Sequence, residues 1–336
     1  MDIVVLAKRL GLSISTVSRA LNNAKDVSAA TRARVLRAAD DLGYRPNRSS
    51  RRLRSTKPET VGFLLTPPQR QFADPVYMEA LTGLSDALAT RGLDLSVTLP
   101  RSMENEFLAM RRMVESKAID AIVISRTRRD DDRIRYLLDA RFPFVSWGRT
   151  EVEEPYPFFD GDFEYCGRVA TERLLSHGHR RIALLTPSRT FMYAELQWRG
   201  YRAALKAFGV AYDRALARET LLDAEQASDV VYEWLVLPKP PTAIVCSSDL
   251  FAICAFDAIR RRGLEPGRDV AVIGWGADPL IGLAQPRLTT FRVDLHAAGH
   301  LLAETLFAYI DSKQSTAMQN VWLPELIVRD SDPPLG

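Results

Sequence analysis

The sequence LSISTVSRALN at residues 12–22 has the pattern of a short amphipathic helix that begins at a cap. Ser13 is a natural N-cap, and Val17, Ala20 and Leu21 recur at the spacing of one buried helix face. The opposite face is polar and rich in hydrogen-bonding groups. Its outward positions are Ile14, Ser15, Ser18, Arg19 and Asn22. Such a face is typical of a helix that binds another molecule through hydrogen bonds.

The neighbouring segments predict two more helices. Before the quoted stretch, apolar residues recur at helical spacing over residues 3–10, and Gly11 supplies a stop. After it, Ser28 can cap a helix that places Val35, Leu36, Ala39 and Leu42 on its buried side and ends at Gly43. Two short helices around a glycine turn, closed by a third, form a helix-turn-helix, whose second helix fits the major groove of DNA. A generic three-helix bundle is the alternative.

Charge is distributed unevenly along the chain. Residues 1–60 carry 13 Lys and Arg against 5 Asp and Glu, whereas the remainder carries 32 against 37. A basic head on a mildly acidic body is typical of a nucleic-acid-binding arm joined to a domain that does not bind nucleic acid. The charge pattern therefore favours the helix-turn-helix interpretation.

From residue 60 onward, apolar strand-like runs alternate with helical stretches, in two series. The first has strands at 61–65, 93–99, 119–124 and 142–147, and helices at 76–90, 104–116 and 131–140. The second has helices at 163–176, 196–208, 225–236 and 249–262, and strands at 182–185, 243–246 and 270–274. This alternation predicts an α/β core of two lobes, each a doubly wound parallel sheet covered on both faces. Ligands of such folds bind beyond the carboxyl ends of the strands, here between the lobes.

Enzyme motifs are missing from the sequence. It contains no GxxxxGK[ST] loop, no strand-GxGxxG-helix, no HExxH and no GxSxG. We therefore expect no catalysis and no cofactor. His296 and His300 lie four apart on a predicted helix, but two ligands alone make a weak metal site, so no metal is predicted.

Cysteine usage and hydropathy indicate the compartment. Cys166, Cys246 and Cys254 form no CxxC pair and are expected to be reduced, with Cys246 in the core. No apolar run approaches the ~18 residues needed to cross a bilayer, and the N-terminus opens directly into an amphipathic pattern. We expect a cytoplasmic protein with no membrane partner.

Several motifs resemble, in order and spacing, the LacI/GalR (lactose-repressor) family. They lie at residues 12–22, 27–28, 31–32, 35–36, 42–47, 60–64, 178–184, 200–205 and 288–290. The resemblance implies a DNA-binding transcriptional regulator, expected to repress genes of carbohydrate uptake or catabolism. It further implies a homodimer on a pseudo-palindromic double-stranded operator, controlled by a small-molecule effector, a sugar or glycoside, in a periplasmic-binding-protein-like core.

The resemblance implies roles for residues of the head. Ile14, Ser15 and Arg19 occupy positions that read base edges, and arginine can bond guanine O6 and N7 in bidentate fashion. Positions that meet phosphates hold Ser13, Thr16, Ser18, Asn22, Ser28 and Thr31. Simple helix capping is the alternative for Thr16 and Thr31.

The basic segment after the head resembles the family's hinge helix. This segment comprises residues 45–54, and Leu53 matches the leucine that wedges the central base step of the minor groove. A solvated charged linker is the alternative. Further DNA-binding candidates in and just before this segment are Tyr44, Asn47, Arg48, Ser50 and Arg54.

Domain boundaries follow from the same resemblance. We expect a DNA-binding domain at 1–46, a hinge at 47–58 and an effector-binding core at 59–336. Within the core, one lobe takes residues 59–160 and 292–320, and the other takes 161–290 and 321–332. The chain would cross between lobes near 148–162, 286–293 and 318–326. His177 and His179 fall where the family has a structural Gly-His.

The effector pocket departs from the family pattern at two positions. Where the family commonly has an arginine and an acidic residue that clamp sugar hydroxyls, this sequence has Gln197 and Gly276. Loss of both charges avoids a buried unpaired ion and predicts a neutral pocket. Asp278 is a candidate replacement for the carboxylate, with a surface position as the alternative. The other expected pocket residues are Phe72, Tyr77, Ser125, Trp147, Arg149, Ser248, Asp249 and Trp275; a core role is the alternative for the aromatic ones.

Two other functional classes compete with a regulator. A sugar-binding receptor of the same fold would carry a secretion signal and would lack residues 1–58, unlike this sequence. An enzyme fused to a DNA-binding head would need the catalytic motifs that are missing. The sequence itself therefore favours the regulator.

Overall fold

The computed structural model describes residues 3–21, 24, 26–42, 59–65, 75–220, 223–276, 279–312 and 318–335. The chain forms two compact units, residues 1–58 and residues 59–336, and each is described by itself. Across these described ranges, no helix has both the length and the apolar character needed to span a bilayer.

The first unit contains three helices around a small core. They are α1 (Ile3–Leu10), α2 (Ile14–Leu21) and α3 (Ala29–Asp41). Gly11 turns the chain between α1 and α2 with a φ of 64°, a conformation that favours glycine. Leu6, Val17 and Val35 are fully buried where the helices meet.

One residue of α3 differs from the sequence prediction. Leu36 is 45% exposed, although the helical pattern placed it on the buried side. Val35 and Ala39 lie four residues apart on one helix face and fill the core, whereas Leu36 is rotated about 100° from Val35 and about 60° from Ala39. The buried stripe of α3 is therefore narrower than predicted.

The N-lobe of the second unit has a six-stranded sheet, in which every neighbouring pair is parallel. In chain order its strands are β1 (Thr60–Leu64), β2 (Asp94–Thr98), β3 (Ala121–Ser125), β4 (Phe144–Trp147), β5 (Phe158–Gly161) and β11 (Gln319–Trp322), arranged β11-β5-β4-β3-β1-β2. One face packs against α4 (Pro75–Ala89) and α11 (Leu295–Asp311). The other face packs against α5 (Met103–Glu115) and α6 (Asp132–Asp139).

The C-lobe repeats this architecture. Its strands are β6 (Ile182–Pro187), β7 (Ala217–Thr220), β8 (Ala243–Cys246), β9 (Ala271–Trp275), β10 (Thr289–Arg292) and β12 (Glu325–Ile327), arranged β12-β10-β9-β8-β6-β7. Only β12 is antiparallel to its neighbour among the described pairs. One face packs against α7 (Phe163–Ser176) and α8 (Met192–Ala207), and the other against α9 (Ala224–Leu235) and α10 (Asp249–Arg261). The predicted α/β fold with two doubly wound lobes is confirmed.

Five short strands were not predicted from the sequence. They are β5, β7, β10, β11 and β12, each three or four residues long. Because β5 and β11 belong to the N-lobe sheet, the chain leaves that lobe only after Gly161 and again after Trp322. It returns between Arg292 and Leu295. Runs this short carry too little periodicity to be recognised, and pairing with a neighbouring strand defines them.

Candidate functional site

The exposed side of α2 carries the predicted reading face. Ser13 caps the helix, since its Oγ accepts a bond from the Thr16 amide at 3.1 Å. The Ser13 hydroxyl also lies 2.9 Å from the Ser15 Oγ and 2.8 Å from the Thr16 Oγ1. Ile14 is 42% exposed, although it is apolar. An exposed apolar residue beside three hydroxyls suits contact with a groove edge.

Arg19 forms an ion pair on this same face. Its Nη1 donates to Asp26 Oδ2 at 2.7 Å, and its Nη2 donates to Ser15 Oγ at 3.4 Å. Both charged side chains are more than half exposed. Hydrogen bonding to Arg19 lowers the pKa of Asp26 below its ordinary value. A guanine contact by Arg19 therefore has to replace an existing carboxylate partner.

The start of α3 repeats the capping arrangement. Ser28 Oγ accepts from the Thr31 amide at 3.2 Å and donates to the Thr31 hydroxyl at 2.9 Å. In these bonds Thr16 and Thr31 act as cap partners, which was the alternative to a phosphate role. Ser18 lies half-buried on α2. Nine predicted site residues lie outside the described residues: Asn22, Tyr44, Asn47, Arg48, Ser50, Leu53, Arg54, Phe72 and Asp278.

At the carboxyl edge of the N-lobe sheet, predicted pocket residues come together. Tyr77, at the start of α4, packs edge-on against Trp147 with ring centroids 5.3 Å apart. Ser125 is fully buried and donates to the Leu64 carbonyl at 3.3 Å. Arg149 donates from Nε to Asp160 Oδ2 at 2.5 Å and from Nη2 to the Gly161 carbonyl at 3.1 Å. Two of its three guanidinium nitrogens are thus engaged by β5.

The opposing edge of the C-lobe sheet carries the other predicted pocket residues. Ser248 caps α10, because its Oγ accepts from the Phe251 amide at 3.3 Å. Asp249 is buried and accepts from Thr290 Oγ1 at 2.6 Å. Trp275 ends β9 and lies 4.9 Å from Phe163 between ring centroids. Gln197 projects from α8 and is also buried.

Two glycines leave room for the Asp249 carboxylate. A Cβ at Gly274 would lie 2.6 Å from Asp249 Oδ1, and one at Gly276 would lie 3.1 Å from Oδ2. Gly276 also has a φ of 145°, a conformation that side chains rarely adopt. Asp249 therefore occupies the space beside position 276, where the family commonly has an acidic residue.

Three buried polar oxygens at this edge have no described hydrogen-bond partner: Thr186 Oγ1, Ser247 Oγ and Gln197 Oε1. Thr186 and Ser247 were not predicted from the sequence, although Ser247 directly follows a predicted strand. Gln197 and Trp275 line a cavity that also touches Cys166 and Phe291 and offers about 10 Å³ to water. Burial raises the pKa of the Cys166 thiol above its usual range, so this thiol stays protonated. The cavity as described holds no more than about one water molecule.

The two lobes touch across the cleft. The Met192 amide donates to the Thr127 carbonyl at 2.9 Å, and the Arg129 amide donates to the Thr190 carbonyl at 2.9 Å. These backbone bonds join the segment after β3 to the start of α8. The structure therefore represents a form in which the lobes are in contact.

Four charged side chains, Arg129, Glu151, Glu195 and Arg199, reinforce this contact, and we term them the clasp. Arg129 and Arg199 both bond the Glu151 carboxylate, at 3.0 and 2.6 Å. Arg199 also bonds Glu195 Oε1 at 2.9 Å, and Arg129 lies 3.9 Å from Glu195 Oε2. Partial burial opposes ionisation of Glu151, but the two arginines hold its pKa below the ordinary value. The clasp therefore links N-lobe loops to α8 of the C-lobe.

A three-helix head with a helix-turn-helix and a two-lobed α/β core define a ligand-responsive DNA-binding protein. Comparison with known families supports this class. Residues 4–47 match the family model "Bacterial regulatory proteins, lacI family", and residues 171–331 match "Periplasmic binding protein-like domain".

Individual relatives match along almost the whole chain. The chain is 35% identical to the HTH-type transcriptional regulator AglR of Rhizobium meliloti (strain 1021), over 98% of this chain and 93% of the relative. It is 31% identical to RafR of Escherichia coli, over 96% of each protein. Among solved structures, a complex of the transcriptional regulator CelR with cellobiose is 30% identical and has a TM-score of 0.75, covering 98% of this chain and 99% of that chain.

The chain belongs to the LacI family of bacterial regulatory proteins. It is a DNA-binding transcription regulator and not an enzyme. A lac repressor dimer bound to operator shares its fold, with a TM-score of 0.86 at 22% identity over 99% of each chain. The predictions of family, fold class and regulatory function are confirmed.

Proposed function

We propose that this protein is a cytoplasmic homodimeric repressor of carbohydrate uptake or catabolism genes. A neutral glycoside or oligosaccharide bound between the lobes either weakens or strengthens its binding to the operator. The observation that carries this proposal is the chemistry of the cleft edge. Gln197, an uncharged amide with an unpartnered oxygen, stands where the family commonly has an arginine. An amide suits the hydroxyl of a neutral sugar, whereas an anion would need a cation there.

Aromatic side chains support a carbohydrate ligand. Trp147 and Trp275 are each partly exposed at the carboxyl end of a strand, one in each lobe. Indole faces stack on the apolar faces of pyranose rings and bury large areas. A relative that shares 30% identity with this chain has been solved with cellobiose, a neutral disaccharide.

Asp249 supplies the carboxylate of the proposed pocket. Its oxygens lie against Gly274 and Gly276, beside the position of the family's acidic residue. Asp249 projects from the first residue of α10, so it reaches the cleft from a different element. We propose that Asp249, with Gln197 and Arg149, orients sugar hydroxyls, and that the ligand enters when the lobes separate, since the described cavity is too small for a sugar ring.

Calorimetry with the purified chain tests the ligand class. We expect neutral disaccharides to bind, and sugar phosphates and sugar acids to bind weakly. Trp275→Ala should abolish this binding, whereas the control Trp198→Ala, whose indole packs on Tyr212 and does not line the cavity, should retain it. Tight binding of an anionic ligand alone, unaffected by Trp275→Ala, would exclude the proposed pocket. A gel shift on the DNA upstream of the gene, with and without the bound sugar, tests the regulatory role.

A further inference from the structure

Helices α4 and α11 cross in direct backbone contact on the N-lobe. A Cβ built on Gly83 would lie 2.0 Å from the His296 carbonyl oxygen, and one built on Gly299 would lie 2.1 Å from the Ala80 carbonyl oxygen. No side chain larger than hydrogen fits at either position without moving a backbone. This close crossing allows short polar side chains next to it to reach from one helix to the other.

Three metal-ligating side chains converge beside the crossing. Asp86 lies three residues after Gly83 on α4, and His296 lies three residues before Gly299 on α11. His300 lies on the same face of α11, one turn after His296. One ligating atom from each of the three residues lies within 4.8 Å of the other two. His296 Nε2 is 3.2 Å from Asp86 Oδ2, and the two imidazole rings are 5.0 Å apart between centroids.

The geometry suits a divalent transition-metal ion. Metal–ligand bonds of 2.0–2.1 Å in a tetrahedral zinc site separate neighbouring ligand atoms by about 3.3 Å, close to the His296–Asp86 distance. Two imidazoles and a carboxylate form a mixed nitrogen and oxygen set that Zn²⁺, Co²⁺ and Ni²⁺ accept. The half-exposed position leaves room for water as a further ligand. The sequence predicted no metal here because only two ligands lie close together along the chain, whereas the fold brings Asp86 to His296 from 210 residues away.

We propose that Asp86, His296 and His300 form a binding site for a divalent transition-metal ion, Zn²⁺ in the first instance. The bound ion ties α4 to α11 on the sheet face that these two helices cover. Because the folded chain assembles this site and the unfolded chain does not, metal binding stabilises the N-lobe. The site is separate from the effector cleft and does not depend on the ligand proposed there.

Metal titration of the untagged full-length chain tests the site. We expect one Zn²⁺ per chain by calorimetry, and a Co²⁺ visible spectrum of a nitrogen and oxygen site. The variant His296→Gln/His300→Gln should lose both signals, and Asp86→Asn should weaken Zn²⁺ binding by about tenfold or more. The control Glu304→Gln, an exposed acidic residue one turn further along α11, should bind as the wild type does.

Thermal unfolding separates metal binding from general damage to the fold. Without metal, the wild type, the double histidine variant and Glu304→Gln should melt alike. Added Zn²⁺ should raise the melting temperature of the wild type and of Glu304→Gln, and leave that of the double variant unchanged. Equal Zn²⁺ binding and an equal melting shift in the double variant would overturn the proposal, as would a wild type that binds no Zn²⁺ or Co²⁺ up to millimolar metal.

Discussion

At the scale of single residues, Arg19 has a partner in the structure that its predicted base-reading role would require it to give up. In the described structure it is held by Asp26, a surface ion pair that contributes little stability because water screens both groups. Guanine O6 and N7 offer the same guanidinium a planar bidentate partner. If Arg19 reads a base as predicted, DNA has to displace Asp26 from its guanidinium.

Substitutions of Arg19 and Asp26 distinguish recognition of a base by Arg19 from a general effect of charge on DNA binding. Arg19→Ala should cost about 1–3 kcal/mol of operator binding and relax the choice at one base pair per half-site. Asp26→Asn should raise operator affinity more than Asp40→Asn, an equal charge change on exposed α3 surface. Binding to operators substituted at each position measures both effects. Equal loss by Arg19→Ala on every sequence would mean that Arg19 touches only phosphate.

His179 is a second residue whose environment predicts a measurable effect. Burial lowers its pKa below the ordinary value, and neighbouring His177 adds to the shift. Its Nδ1 lies 2.9 Å from Thr242 Oγ1, and His177 Nδ1 lies 2.8 Å from the Asp332 carbonyl. Both rings thus hold the C-lobe core to neighbouring segments, in agreement with a structural role.

The lowered pKa of His179 sets the direction of a pH effect. The unfolded chain takes up a proton near the ordinary histidine pKa of about 6.5, whereas the folded chain resists it. The stabilisation is therefore complete above that pH and is lost as the pH falls below it. The free energy of unfolding of the wild type should therefore fall as the pH is lowered from neutral to the range where carboxylates titrate. In His179→Gln this fall should be smaller. An unchanged slope in urea melts across this range would contradict the assignment.

At the scale of elements, α8 is the C-lobe helix whose N-terminal turn contacts the N-lobe. It begins at Met192, four residues before the position predicted from its periodicity. Phe191 at its N-cap provides no side-chain bond, and the Thr127 carbonyl of the N-lobe accepts the Met192 amide instead. This early start adds Glu195 to the helix that also carries Arg199 of the clasp and Gln197 of the proposed pocket.

The ion pairs of the clasp predict that the fraction of molecules with the lobes in contact depends on these charged side chains. The Arg199–Glu151 pair crosses between the lobes and is partly exposed on both sides, so it contributes about 0–1 kcal/mol, which changes an open–closed ratio by at most about fivefold. Arg199→Gln should shift the population towards separated lobes, as measured by small-angle scattering, and salt should do the same in the wild type. The control Arg268→Gln removes an exposed ion pair elsewhere in the C-lobe. It should change neither the population of separated lobes nor the response of that population to salt. A scattering profile of Arg199→Gln identical to the wild type at low salt would contradict this role.

At the scale of the whole molecule, the chain separates a basic head from an acidic body. DNA phosphates attract the head and repel the body. We therefore expect a plot of the logarithm of operator affinity against the logarithm of salt concentration to fall with a slope of about 0.9 for each phosphate neutralised. The head alone specifies only half of a pseudo-palindrome. In the proposed homodimer, two hinge segments would meet at the operator centre.

The predicted minor-groove wedge at Leu53 offers a test of this arrangement. Unstacking a base step by a leucine wedge costs a few kcal/mol and is offset by a bend that brings more protein onto the duplex. Leu53→Ala should weaken operator binding and reduce DNA bending, while effector binding remains as in the wild type. A circular-permutation bending assay that gives one angle for both proteins would exclude the wedge.

The sequence by itself determined the helix-turn-helix, the two series of alternating strands and helices, and the buried Cys246, because local periodicity, caps and glycine stops encode them. It also marked the strand ends at which Trp147 and Trp275 lie. Only the tertiary structure decided the short strands, which are defined by pairing with their neighbours.

Contacts between distant segments were likewise decided by the tertiary structure. The capping of α8 by Thr127, the approach of Asp249 to Gly276 and the meeting of Asp86 with His296 join residues far apart in the chain. Periodicity reports which face of an element is buried, but not which distant backbone it packs against. These contacts depend on how closely two elements approach, and this distance is set by packing in three dimensions.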